Sequence, residues 1–446
     1  MTATGRIHSR IVEPEICLSG CTCGVGHPAP EVTLYSGNDA AQVMAEDCRA
    51  LYADQPVLLL YDPQTGSVAG TELEVQLQRS GVQVESYLLP EQPSADEATV
   101  DKVRDKCRNV ALVISVGSGT INDLGKYSAF HEQIAFWSMP TAPSMNGYTS
   151  GIAAIKVKGV KRTLPAAPPQ RLYVVPHVIQ QAPLKLRQAG FCDVLAKVVS
   201  DIDWQCESLL FSDSYCGLPA HMMQEVEHSY SDHPEAIGAG DDTATMGLFH
   251  GLLISGVAMS LAGSSAPASG GEHLVSHFWD MREPLTGREP ELHGLQVGLG
   301  IIFSTACYAR LSQLEQADLN QGAAETFAET ARNIPDIWGK YADEVARQFD
   351  NKRAALKQFD TLLPQQWNQL KKLFRQVRPP EYFADLFTRV GAPFSLEAFN
   401  LTQDEFMLAA LNARAIRERI TVLDFAAHAG VLEAAAEDAL LLLRNS

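Results

Sequence analysis

Between residues 31 and about 175, short apolar runs alternate with amphipathic stretches, and this alternation limits the fold more than any other feature of the chain. EVTLYSG (31–37), VLLLYD (57–62), VQVESYLL (82–89), ALVISVG (111–117) and IAFWSMP (134–140) read as strands. AAQVMAEDCRALYA (40–53), TELEVQLQRSG (71–81) and the region from about 95 to 109 read as helices. Unbroken apolar runs such as VLLL suit strands buried on both faces, so the pattern implies a parallel sheet with helices on each side. The stretch 151–175 departs from it, as two β-rich runs joined by a basic turn, and is expected to be a hairpin at the domain edge. After Pro183 the sequence is helical in period, apart from glycine-rich stretches near 238, 270 and 287. A chain of 446 residues exceeds one ordinary core. The expected organisation is an arm over 1–30, an α/β domain over 31–180 and an all-helical domain over 181–446.

Charge narrows the partners. Asp and Glu number 53 against 35 Lys and Arg, a net charge of −18. So acidic a surface repels phosphate backbones and anionic lipid, which argues against general nucleic-acid or membrane binding. A small anionic substrate stays possible where donors cluster locally. The N-terminus lacks an apolar segment behind basic residues and does not read as a secretory signal. The uncharged run 245–271 is long enough to suggest a membrane span. His250, its glycines and serines, and the continuation SSAPASGGEH favour a helix buried within a soluble domain. Nine scattered cysteines do not form the framework of a small secreted fold, and the cytoplasm is the expected compartment.

VISVGSGTINDLGKYSAF (113–130) runs from strand through a Gly-Ser-Gly-Thr turn into helix. Without Cβ atoms at Gly117 and Gly119, backbone amides can face a pyrophosphate at a positive helix end. A tight turn with no ligand would have the same sequence. Asp123 could accept from a ribose or complement the helix dipole. PTAPSMNGYTSG (140–151) supplies a second polar loop at the next strand end, and adjacent loops of this kind frame the crevice where open sheets bind ligands. Asp62, ending VLLLYD, could bond an adenosine ribose hydroxyl or simply serve the turn.

Three segments of the helical half carry metal-ligand chemistry. Asp193 is read at a helix start in AGFCDVLAKVVSDIDW, His273 and His277 lie four apart on one helix face, and His293 precedes a glycine-rich helix. One carboxylate and two imidazoles fill three positions of a catalytic zinc and leave the fourth open. Structural histidines would look the same. A further group, Cys17, Cys21, Cys23 and His27 in CLSGCTCGVGH, has the donors zinc takes. Its spacing, C-x3-C-x-C-x3-H, matches none of the common structural patterns, and an arm with reduced thiols is the favoured reading.

GSGTINDLGKY, PTAPSMNGYTS, GFCDVLAK, SGGEHLVSHFWDM and LHG occur in that order. Together they resemble the NAD(P)-dependent sn-glycerol-1-phosphate dehydrogenases, in the superfamily of iron-containing alcohol dehydrogenases, glycerol dehydrogenase and dehydroquinate synthase. The resemblance covers about 30–305, and CTCGVGH is also similar to bacterial members. It implies a Rossmann-like N-terminal domain, an all-α C-terminal domain, NAD or NADP, and one divalent metal, zinc being favoured. It also implies metal ligation by Asp193, His273 and His293, with His277 catalytic beside substrate and nicotinamide. Gly119, Thr120, Ile121, Asn122 and Asp123 match the pyrophosphate turn, and Thr141, Ser144 and Ser150 match cofactor contacts. Asn146 stands where the family usually has a substrate-site aspartate, so charge and acid–base capacity are lost there.

The implied activity interconverts dihydroxyacetone phosphate and sn-glycerol 1-phosphate by hydride transfer. The metal would act as Lewis acid and His277 would relay a proton. Lys156, Lys158, Lys161 and Arg162 offer donors for the substrate phosphate, or form a solvated hairpin face. A dehydrogenase of another polyol or aldehyde, a dehydroquinate-synthase-like lyase and a non-catalytic cofactor-binding protein are the alternatives. A homo-oligomer, preferably a dimer, is expected, and the tail beyond about 310 is assigned only packing or oligomer contacts.

Overall fold

The computed structural model describes residues 9–11, 21, 23–24, 27, 30–212, 214–289, 291–319 and 323–444. Strands β1 (Ser9–Arg10), β2 (Thr33–Ser36), β3 (Val57–Tyr61), β4 (Val84–Leu88), β5 (Leu112–Gly117), β6 (Ala135–Pro140), β7 (Ile152–Val157), β8 (Val160–Pro165) and β9 (Arg171–Val174) succeed one another. Seven of them form one sheet in the order β1-β2-β9-β6-β5-β3-β4, and β7 and β8 pair separately. All neighbours in the sheet are parallel except β1 and β2. β3 divides its apolar residues between the two faces. Val57, Leu59 and Tyr61 pack with α1 (Ala40–Tyr52) and α2 (Thr71–Arg79), whereas Leu58 and Leu60 pack with α3 (Glu97–Cys107) and α4 (Gly119–Glu132). The five strands and the covered parallel sheet expected from the apolar runs are present.

The stretch 151–175 is more than a hairpin. β7 and β8 make the hairpin, but Arg171–Val174 returns to the main sheet, pairing with β2 and β6. Leu172, Tyr173 and Val174 are buried there, because a strand between two parallel neighbours needs apolar residues on both faces.

Packing divides the chain into two units that interleave in sequence. The first comprises Met1–Val157, Arg162–Gly190 and His221–Ser265; the second comprises Lys158–Lys161, Phe191–Ala220 and Ala266–Ser446. The change of composition near 181 thus marks where helices take over, while the partition by packing follows a different course. Beyond α5 (Leu184–Leu195) and α6 (Lys197–Phe211) in the chain, the first unit takes in α7 (Asp242–Ala262), the one described helix long and apolar enough to cross a membrane, which is largely buried against protein. Its Leu253 carbonyl accepts from Thr149 Oγ1 at 2.6 Å, and Ser260 Oγ donates to the Thr149 carbonyl at 2.9 Å. The loop after β6 is therefore clamped on α7.

That loop also meets α5 (Leu184–Leu195) at Gly190. A Cβ there would stand 1.9 Å from the Pro143 carbonyl oxygen, so only glycine permits this approach. In the second unit α8 (Gly271–Thr286) and α9 (His293–Gln313) cross equally closely, since a Cβ at Gly300 would lie 2.2 Å from the Glu272 carbonyl oxygen. Gly190→Ala forces backbone apart on both sides and is expected to cost about 1–3 kcal/mol. Urea denaturation should register it as a lower midpoint; an unchanged midpoint would refute the close-packing account.

Candidate metal and dinucleotide sites

The first unit holds the candidate dinucleotide turn. The strand order reverses between β4 and β5 on either side of β3, and ligands bind open sheets outside the carboxyl ends at such a switch. Gly117, Ser118 and Gly119 lie there. Ser118 is extended, and no side chain caps the α4 N-terminus, which leaves its first amides for an anion. A Cβ at Gly119 would meet only Met145 Cγ, at 4.0 Å, so a cradle is open there. Gly117 has another reason to be glycine: its Cβ would strike Ile121 at 2.8 Å. The Ser118 and Ser144 hydroxyls bond each other, which joins the two loops. These features fit a dinucleotide pyrophosphate. Ser118 went unnoticed in the sequence as a partner of Ser144.

Other residues expected at the cofactor have structural partners. Asn122 Oδ1 accepts from Ser138 Oγ at 2.9 Å, and Asp123 accepts from the Ala154 amide at 3.0 Å. Asp123 also pairs with the buried Lys126 ammonium at 3.1 Å. Lys126 in turn donates to Ser150 Oγ, and Ser150 donates to the Gly147 carbonyl. Asp62 caps the short helix Pro63–Thr65, accepting from the Thr65 amide at 2.7 Å. Thr120 is half-buried in the first turn of α4, Thr141 is buried at the end of β6, and Asn146 is half-buried on the loop beyond.

The second unit brings together Asp193, His273 and His293, with one ligand atom from each lying within 4.8 Å of the others. Asp193 is not at a helix start. It lies in the last turn of α5, because the helix runs on through the close-packed Gly190. There the negative helix end adds to the carboxylate in attracting a cation. His273 Nε2 is 3.3 Å from Asp193 Oδ1, and its Nδ1–H donates to Glu272 Oε1 at 2.7 Å. Glu272 is itself fixed by the Gly270 amide at 2.7 Å. His293 Nδ1 is engaged by Ser276 Oγ at 2.8 Å, which leaves Nε2 available. One carboxylate and two imidazoles, each ring oriented through its other nitrogen, form a donor set suited to a divalent ion.

His277 stacks on His293, with ring centroids 5.3 Å apart. Its Nδ1 accepts from Arg417 Nη2 at 3.0 Å. A guanidinium only donates, so the neutral imidazole carries its proton on Nε2. Burial, then the Arg417 and Lys161 charges, push His277 well below the ordinary 6.5. Burial and Lys161 push His293 down as well. His273 behaves oppositely: burial lowers it, but hydrogen bonds to Asp193 and Glu272 outweigh that and hold it at about 8.

Sequence reading missed Glu272, Ser276 and Arg417. Glu272 is adjacent to a named histidine, but Arg417 lies in the tail given only a packing role. That assignment is corrected, because the tail brings a guanidinium to His277. Among the described residues no carboxylate pairs with Arg417, and burial with the neighbouring Arg419 lowers it to about 10, leaving it charged at neutral pH. Lys161 leaves the hairpin tip to pair with Asp280 at 2.6 Å and approach His293 Nδ1 at 3.4 Å. The expected solvated basic face does not hold for that residue.

The iron-containing alcohol dehydrogenase family model matches residues 35–183. The glycerol-1-phosphate dehydrogenase [NAD(P)+] of Bacillus subtilis is 35% identical over 265 residues, 58% of this chain and 67% of that protein. The Thermococcus kodakarensis enzyme of the same name is 34% identical over 282 residues, 63% and 78% of the two chains. The chain belongs to the glycerol-1-phosphate dehydrogenase family. It is a member of the wider iron-containing alcohol dehydrogenase group, with NAD(P) and a divalent metal as the family's cofactors. Solved structures agree in fold. Glycerol dehydrogenase from Schizosaccharomyces pombe has a TM-score of 0.58 at 15% identity, over 93% of this chain and 91% of that one. A 1,3-propanediol oxidoreductase has 0.61 at 14%, over 92% and 99%.

A proton held by His273 competes with an ion at Nε2. Since its folded value of about 8 exceeds the unfolded 6.5, the proton stabilises the metal-free fold fully below pH 6.5. That stabilisation fades as pH rises through about 8. Metal affinity should therefore rise about tenfold per pH unit below 8 and level off above it, as measured by chelator competition. A flat profile from pH 6 to 8 would contradict the assignment of His273.

Proposed function

We propose that the protein interconverts dihydroxyacetone phosphate and sn-glycerol 1-phosphate with NAD(P), and that Asp193, His273 and His293 hold the metal. The observation that carries the reading is the pairing of this donor set with His277, whose Nε2–H is fixed by Arg417. Zinc suits one carboxylate and two imidazoles, and when bound it supplies Lewis-acid polarisation of a carbonyl oxygen.

The protein's residues do the rest. The turn Gly117–Gly119 and the uncapped α4 bind the pyrophosphate. His277 hydrogen-bonds the reacting oxygen through Nε2–H as negative charge develops. Held well below 6.5, it stays neutral and acts as an oriented donor, in place of the proton relay expected from sequence. Solvent supplies the proton that carbonyl reduction consumes. Arg417 offers its remaining N–H groups to the substrate phosphate, a role supported by its charge and its lack of a carboxylate partner among the described residues. Lys161, already paired with Asp280, is a weaker candidate for that phosphate. Asn146, lacking the family's charge, bears on which polyol is preferred. A cytoplasmic location belongs to this reading.

With NAD(P)+, sn-glycerol 1-phosphate should generate reduced nicotinamide, and the 3-phosphate enantiomer and glycerol should give far less. No net reduction would favour the lyase alternative; equal rates with glycerol would favour another polyol. His277→Ala is expected to retain metal and lose about 10²–10³ in kcat, the usual effect of removing one oxyanion donor. Metal loss would instead make His277 a ligand. Arg417→Met should raise KM for the phosphorylated substrate about 10- to 100-fold and leave KM for the dinucleotide nearly unchanged, as expected when a charged hydrogen bond is lost. Equal effects on both would contradict a phosphate role.

A further inference from the structure

The N-terminal arm contains a second convergence of metal-ligating atoms, within the first unit and separate in sequence from the Asp193 set. Cys21 and Cys23 Sγ lie 3.0 Å apart, and His27 Nε2 is 3.2 Å from the first sulfur and 2.9 Å from the second. The sulfur separation far exceeds the roughly 2.05 Å of a disulfide. The imidazole is buried, and its Nδ1 is 2.9 Å from the Leu261 carbonyl oxygen. A carbonyl only accepts, so Nδ1 carries a proton, and it is Nε2 that faces the two sulfurs, its lone pair available to an ion in the neutral ring. This is the orientation a metal-ligating histidine adopts, held by a backbone carbonyl through its other nitrogen. The Cys23 amide also points at Cys21 Sγ, at 3.5 Å, which favours a thiolate there.

We propose that Cys21, Cys23 and His27 form a structural site for a soft divalent ion of the zinc class, fastening the N-terminal arm to the end of α7. Leu261 lies in the last turn of that helix, whose final carbonyls have no partner within it. An ion with metal–sulfur bonds near 2.3 Å and a metal–nitrogen bond near 2.0 Å spaces its ligand atoms about 3.4–3.8 Å apart, so the triangle opens by roughly half an ångström on filling. A further thiolate or a water completes four-coordination. The spacing C-x-C-x3-H is tighter than common structural-zinc patterns, and sequence alone therefore gave the cluster little weight. Cys17, the remaining member of that sequence cluster, lies outside the described residues.

The test measures metal per chain in the full-length protein by mass spectrometry, in four forms. Wild type should carry two ions, Cys21→Ser/Cys23→Ser one, His273→Ala/His293→Ala one, and the combined variant none. Two ions retained in Cys21→Ser/Cys23→Ser would overturn the proposal, as would recovery of a Cys21–Cys23 disulfide in peptides from freshly purified protein. Because misfolding of the Cys variant would also release metal, His273→Ala/His293→Ala is loaded with cobalt as well. Thiolate-to-cobalt charge-transfer absorption, together with protection of Cys21 and Cys23 from alkylation until chelator is added, is the expected result. Absence of that absorption would overturn the proposal. If the Asp193 assignment alone is wrong, the Cys variant still loses one ion and the His273 variant loses none.

Discussion

A carboxylate buried at the negative end of a helix, beside imidazoles, needs a positive charge, and the second unit is organised around that need. Asp193 occupies this position because α5 continues through Gly190 and brings its last turn, with the acidic group, deep into protein. Against burial, hydrogen bonds to Asp193 and Glu272 raise His273 to about 8, whereas burial, followed by the Arg417 and Lys161 charges for His277 and by Lys161 for His293, drives those two rings well below the ordinary 6.5. The glycine crossing of α8 and α9 makes the arrangement possible, since a side chain at Gly300 would push His293 away from Ser276 and His273. Electrostatics and backbone packing therefore address the same residues.

The two units divide the chemistry. In the proposed reading, strand ends and an uncapped helix offer backbone amides to the dinucleotide, whereas the helical unit offers side chains to a cation and to the reacting oxygen. Several groups that the motif assigns to the cofactor also have structural partners. Asp123 neutralises a buried lysine and holds β7, and Asp62 closes a capping box. These contacts hold the loops around the candidate dinucleotide turn, a role that matched positions alone do not reveal.

What the sequence revealed follows from how local each signal is. Strands such as VLLLY were legible because burial on both faces leaves an unbroken apolar run. RLYV was not, because four residues after a proline-rich stretch look like the return arm of a hairpin until β2 and β6 are seen on either side. The pair His273 and His277 was legible from its helical spacing, and Asp193 and His293 from the motif order. Their convergence was not, since it depends on glycine contacts across helices. Arg417 left no local trace at all: it lies 140 residues beyond His277, and only tertiary packing makes them neighbours.

Anomalous diffraction from crystals of the zinc-loaded protein tests the central claim most directly. The account predicts a peak about 2.0–2.2 Å from an Asp193 carboxylate oxygen and from one nitrogen each of His273 and His293. Zinc bound elsewhere with those three side chains unengaged, or ligation through His277 in place of His293, would contradict it.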